Sequence, residues 1–201
     1  KVRPEHFKRI ATDLLRHRII PTNLDDLDDH KKEKAIDNLI MKTVDKAIDD
    51  FEKGENFLVF ATKLGKVKRT ALIDYCNVNV SGINAINLRE GDDLVGVVLT
   101  EGNHHILLAT AGGMSIRFLE SDARVMGRVA AGVKGIDLAT ADHVVGLVRV
   151  DDDADLLTVT ENGYGKRTPM GEYLVKSEDG STRSQSRGGK GRRDIRTEGR
   201  N

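Results

Sequence analysis

Three stretches of this chain repeat one another, and that repetition restricts the fold more than any other feature. "FLVFATKLGKVKRTAL" from Phe57, "ILLATAGGMSIRFLES" from Ile106 and "LLTVTENGYGKRTPMG" from Leu156 each run an apolar strand into threonine, turn through glycine and leave on a second strand carrying arginine. The anchors hold register: Thr62, Thr110 and Thr160 are 48 and 50 residues apart, as are Arg69, Arg117 and Arg167. Each unit continues into a second motif, "SGINAINL" from Ser81, "AGVKGIDL" from Ala131 and "RGGKGRRDI" from Arg187. After the first two come "LVGVVLT" and "VVGLVRV", which pass through a short polar loop into the next unit. Roughly four strands in each repeat of about 50 residues is the pattern of a propeller-like blade. The expected class is therefore mainly β, with about three four-stranded blades across residues 55–201 and starts near 57, 106 and 156.

Residues 1–54 have a different period. In "KKEKAIDNLIMKTVDKAIDDF" the apolar positions Ile36, Ile40, Val44, Ile48 and Phe51 recur at three- and four-residue steps, as on one face of a helix. "PEHFKRIATDLLRHRII" places Phe7, Ile10, Ala11 and Leu14 similarly before Pro21. An N-terminal α-helical extension or insertion is expected there, its acidic "DDLDDH" serving as a solvated loop and helix start. Those aspartates lack the ligand spacing and glycine of a calcium loop.

Composition adds exclusions. No run reaches the roughly 18 apolar residues of a membrane span, and the first residues do not read as a secretory signal, so a cytoplasmic location is expected. The lone Cys76 cannot form an internal disulfide and reads as a structural thiol. His104 and His105 read as hairpin-loop residues without further ligands beside them, so no metal is expected. The formal net charge is zero, yet residues 181–201 hold seven basic side chains against two acidic ones. "GGKGR" lacks the Ser or Thr after Lys that a nucleotide-binding P-loop requires, and "GYGKRT" lacks the upstream glycine spacing and the following helix.

Four segments carry a family resemblance. "TENGYGKRTPMGEY", "FATKLGKVKRTAL", "RVMGRVAAGVKGIDL" and above all Gln185–Gly191, "QSRGGKG", resemble the C-terminal domain of the A subunit of DNA gyrase, a type IIA topoisomerase. The family box reads Q-R-R-G-G-K-G, and this chain matches six of its seven positions, with Ser186 in place of an arginine. The resemblance implies a partial β-pinwheel, a propeller relative whose blades exchange a strand with a neighbour, in a chain cut at both ends. Two departures stand beside it. The strict box belongs to the family's first blade, whereas this copy follows a unit similar to a later one, and residues 1–50 match nothing expected ahead of these blades.

Function follows from the resemblance as an expectation. Duplex DNA would wrap the rim of the domain without sequence preference, held by cations repeated in register: Lys66, Lys68 and Arg69; Arg117 and Lys134; Lys166 and Arg167; Arg187, Lys190, Arg192 and Arg193. Gly188, Gly189 and Gly191 would let a phosphate approach main-chain N–H groups. The segment would bind without cutting, since Tyr75, Tyr164 and Tyr173 do not follow the arginine-tyrosine pattern of the family's nucleophile. The whole enzyme would be an ATP-hydrolysing type II topoisomerase of two A and two B subunits (A2B2), with ATP and Mg2+ entering through the B subunits. Two alternatives remain open: the corresponding subunit of topoisomerase IV, and a propeller-like scaffold that binds protein.

Overall fold

The computed structural model describes residues 56–75 and 82–197. The expected helical extension, residues 1–54, and Cys76 lie outside them.

Local chemistry builds one hairpin three times. In the first unit β1 (Phe57–Thr62) turns into β2 (Lys66–Ala71); in the second, after β3 (Leu94–Thr100), β4 (His105–Thr110) turns into β5 (Met114–Leu119). Further on, β6 (Val133–Lys134) and β7 (Val144–Arg149) precede the third hairpin of β8 (Asp155–Val159) and β9 (Gly165–Pro169). Short strands β10 (Val175–Lys176), β11 (Thr182–Arg183) and β12 (Arg192–Arg193) complete the set. At each turn the threonine carbonyl accepts the amide of Gly65, Gly113 or Gly163, at 3.0, 3.0 and 2.9 Å. Each threonine Oγ1 accepts a second amide, from Lys66, Met114 and Tyr164, at 3.2 Å in every case. The three glycines have φ of 76 to 80°, a left-handed conformation that a Cβ penalises by about 1–2 kcal/mol.

The strands assemble with exchange between units. One sheet has the order β3-β1-β2-β6 and another β12-β5-β4-β7. In both, the outermost strand comes from the second motif of the following unit: Lys66 pairs with Lys134, and Met114 with Arg193. Register slips by one residue at the same place in both, between Ala61 and Thr62 and between Ala109 and Thr110. Strands β3 and β7 lie against each other, with Gly96 facing Leu147.

Expectation and structure part at the third unit, where β8 and β9 form a two-stranded sheet and β10 and β11 a separate ribbon. Four strands were expected, but a complete sheet takes one strand from late in its own repeat and one from the next. Among the described residues nothing supplies either to β8-β9.

Apolar side chains are buried between units. Val59, Ala61 and Val67 meet Ile106, Leu108, Ile116, Phe118 and Val144 in one cluster, while Leu107 meets Val150, Met170 and Tyr173 in the next. Each fully buried aliphatic contributes roughly 2 kcal/mol, so the seams carry much of the stability.

Candidate nucleic-acid interface

The structure sorts the expected cations into two groups, those that are buried and those left half-buried or exposed. Lys68, Arg69 and Arg117 turn inward. Lys68 Nζ donates to the carbonyls of Ala85 (2.6 Å) and Arg128 and lies 5.1 Å from the Phe60 ring centroid, and burial draws its pKa down to about 8. Arg69 stacks 4.5 Å from the Phe57 ring centroid and reaches Glu120 at 3.7 Å. Arg117, 1% exposed, donates to the Met170 carbonyl (2.9 Å), lies 3.1 Å from His105 Nδ1 and pairs with Asp152. These three cannot meet a phosphate as expected. Each spends its charge on carbonyls or carboxylates instead, and the two arginines brace their unit against the next.

Arg187 is half-buried and donates to the carbonyls of Asp122 (3.1 Å) and Lys134. The box glycines likewise serve packing. The Gly188 amide donates to Gly135 O at 2.7 Å and the Gly189 amide to Ser186 O at 3.3 Å, so neither is free for an anion. Gly191, φ 75°, lies so close to β5 that a Cβ would fall on Ser115 O, and Gly132, φ 87°, would place one 2.6 Å from Val67 O. At Gly191 and Gly132 glycine is required because the donated strand presses against its acceptor.

The remaining cations face outward. Lys134 is exposed beside Asp137, whose carboxyl is held below its usual range by that ammonium. Arg192 is exposed while donating to the carbonyls of Glu172 (2.7 Å) and Leu174 (2.9 Å). Lys166 donates to Asp194 O at 2.9 Å, and Arg167 pairs with Asp155 at 3.0 Å. Among the described residues half-buried Lys66 and exposed Lys190 and Arg193 have no acidic partner within 4 Å. Lys166, Arg167, Arg192 and Arg193 line one groove of about 340 Å³. Lys190 and Arg193 line a second, of about 760 Å³, with Asp137 and Asp142 on its wall. Strand β12 thus forms a cationic ridge between two grooves, on the outer edge of its sheet.

Several positioning residues went unread in the sequence. Asp92 and Asp142, 50 residues apart, clamp the first two hairpin turns through the amides of Leu64 and Gly112, each at 2.8 Å. Glu120, fully buried, takes Thr100 Oγ1 (2.5 Å) and the amides of Gly102 and His104. Asp194 accepts from Thr158 Oγ1 (2.5 Å) and Tyr173 OH (2.7 Å), locking β12 onto the third unit. Burial and that carboxylate push the Tyr173 phenol up to about 12. The equal spacing of Asp92 and Asp142 was the available signal; Glu120 carries none because its partners lie in the preceding unit, and Asp194 none because Thr158 and Tyr173 are 36 and 21 residues away.

A repeat of β-sheets that trade edge strands, with cations along the outer strand, defines a propeller-type domain. The family model for the DNA gyrase C-terminal domain, beta-propeller, matches residues 56–101, 104–151 and 154–180. The chain belongs to that family. It is 50% identical over 147 residues to the A subunit of DNA gyrase from Staphylococcus epidermidis and 48% identical to that from Staphylococcus aureus, covering 72% of this chain and 16% of each relative. Among solved structures it is similar to a C-terminal domain of DNA topoisomerase IV (TM-score 0.61, 29% identity, 68% of this chain and 40% of that one). It also matches a DNA gyrase A C-terminal domain (TM-score 0.58, 26% identity, 69% and 43%).

Proposed function

We propose that this chain is a DNA-binding and DNA-wrapping part of a gyrase A subunit. The observation that carries the reading is the donated outer strand: β6 and β12, the edges of their sheets, present Lys134 and the Arg192–Arg193 pair outward. Lys66 and Lys190 add charge on the same rim. Holding duplex on a curved surface costs about 1–6 kcal/mol per 20–30 base pairs, offset by the phosphates it brings onto the rim as it bends. Such contacts displace counterions and carry no base information, so binding is nonspecific and salt-dependent.

Within a complete enzyme the wrap would set the hand of the passed segment and support ATP-dependent negative supercoiling by double-strand passage. Two B subunits, with one more copy of the gyrase A chain, would supply the rest of the assembly. ATP and Mg2+ would be held by the B subunits, and the cleaving tyrosine would lie elsewhere in the gyrase A chain. Among the described residues no helix is long and apolar enough to cross a membrane; the cytoplasm is the compartment this reading requires.

Ligating nicked circular DNA in the presence of the chain tests the proposal. Wrapping leaves a linking difference of one sign that grows with protein and shrinks with salt. Topoisomers identical to the protein-free control would refute it.

A further inference from the structure

The donated segments keep a register of their own. Lys134 lies opposite Lys66 and Arg193 opposite Met114, each pairing at the same distance past its turn threonine, so Lys134 and Arg193 are equivalent although 59 residues separate them. The bonds ahead of these strands agree. The Met126 amide donates to Arg69 O at 2.8 Å and the Gln185 amide to Arg117 O at 2.9 Å, and those donors are again 59 residues apart. Gly132 and Gly191, each pressed on its acceptor, have the same separation. The hairpins repeat at 48 and 50 residues, so a comparison of hairpins does not show this longer register.

Basic residues recur along it. Arg124 corresponds to Arg183, Arg128 to Arg187 and Lys134 to Arg193. Each pair shares its exposure: Arg124 and Arg183 are exposed, Arg128 and Arg187 half-buried, Lys134 and Arg193 exposed. Arg69 and Arg117 use their guanidinium groups inside the seams, and Arg187 uses its own on carbonyls. Among the described residues Arg124 and Arg183 have neither an acidic partner within 4 Å nor a hydrogen-bond acceptor. Each stands two residues ahead of an amide bonded to β2 or β5, so its backbone is held while its charge faces water. Arg183 lines a groove of about 570 Å³ with Thr182 and Ser184, on whose wall Asp152 is held by Arg117. Exposed, unpaired charge adds little to stability, so packing does not account for its recurrence.

We propose that Arg124 and Arg183 are phosphate ligands of the wrapped duplex, one at each junction between units. The proposal rests on the DNA-binding reading above and extends the contact surface from the donated strands to the segments that lead into them. Each junction then offers the duplex two exposed cations ten residues apart on one segment, Arg124 with Lys134 and Arg183 with Arg193. A guanidinium presents paired N–H donors that match two phosphate oxygens, and such contacts position duplex without reading its bases.

The test is the slope of log affinity against log salt for a labelled random-sequence duplex, compared among full-length chains. The combined Arg124→Ala and Arg183→Ala chain should have a slope shallower than wild type by about 1.8, at about 0.9 for each lost contact, with an unchanged melting temperature. The corresponding double lysine chain keeps both charges and should keep the parent slope. Arg149→Ala removes an exposed charge from β7, the edge of the sheet opposite β12, and should leave the slope alone. Should the double alanine chain melt early, the two single variants, each shallower by about 0.9, carry the same comparison. A steep wild type beside a double alanine chain of equal slope overturns this proposal alone. So does a lysine chain as shallow as the alanine one, or an Arg149→Ala chain that loses as much slope as one of the single variants. A wild type indifferent to salt removes the wrapping reading, and this proposal with it.

Discussion

Arg117→Ala should damage stability and leave DNA contact alone, the reverse of what its place in a repeated row of arginines suggests. The side chain is buried, with its guanidinium on the Met170 carbonyl at 2.9 Å and 3.1 Å from His105 Nδ1. Truncation removes a stem worth roughly 0.8 kcal/mol per buried methylene. It also leaves the Met170 carbonyl unpaired, at about 1–3 kcal/mol. Asp152 is 71% exposed and loses little. Relief of the buried guanidinium's own desolvation returns part of the cost, since its Nε has no acceptor. The net is about 2–4 kcal/mol, or a melting temperature lower by roughly 5–15 °C for a chain of this size. Arg193→Ala, on the exposed outer strand, should stay within about 0.5 kcal/mol. Thermal unfolding followed by circular dichroism reads both. An Arg117→Ala chain that melts with the wild type and binds duplex as weakly as Arg193→Ala would show that Arg117 faces the nucleic acid, and the division into inward and outward cations would fail.

Gly191→Ala should cost about 1–2 kcal/mol for its positive φ alone, and more because its Cβ falls on Ser115 O; faster hydrogen exchange at β12 and β5 would show the donated strand lifting away. Asp194→Ala strips the acceptor from Thr158 and Tyr173 and should lower stability by about 2–4 kcal/mol in urea titration, with the phenol titrating nearer its ordinary value. His105 is held below its usual pKa by burial and by Arg117, against the opposing pull of Asp152 and Asp122. Its neutral form is therefore favoured in the folded chain, so its contribution is full above the unfolded pKa of about 6.5 and lost as pH falls below it. His105→Asn should flatten that acid limb of the stability profile; an unchanged limb would assign it to other groups.

What the sequence revealed was the local part of the fold. The threonine-glycine turns were legible because their hydrogen bonds join residues within four positions of one another. Strand exchange could not be read from residues, since β6 and β12 are two residues long and have no periodicity to display; it came from the family resemblance. The cation track was misread where it looked most regular. Equal spacing of Arg69, Arg117 and Arg167 marks an equivalent place in each unit; for the first two that place is the seam with the next unit, where Glu120 and the Met170 carbonyl wait, whereas Arg167 is exposed beside Asp155. In the box, Gly191 answers to the close approach of Ser115, and Lys190 together with the following Arg192 and Arg193 is exposed.

In the proposed wrap, outward cations on and beside the donated strands hold duplex DNA by its phosphates. Its most direct test is the slope of log affinity against log salt for a random-sequence duplex, measured by fluorescence anisotropy for the wild type and for the combined Lys66→Ala, Lys190→Ala and Arg193→Ala chain. Each lost phosphate contact should lower the slope by about 0.9, so the variant should bind more weakly with a slope shallower by about 2–3, at unchanged melting temperature. A wild-type affinity indifferent to salt, or a variant with the parent slope, would contradict the account.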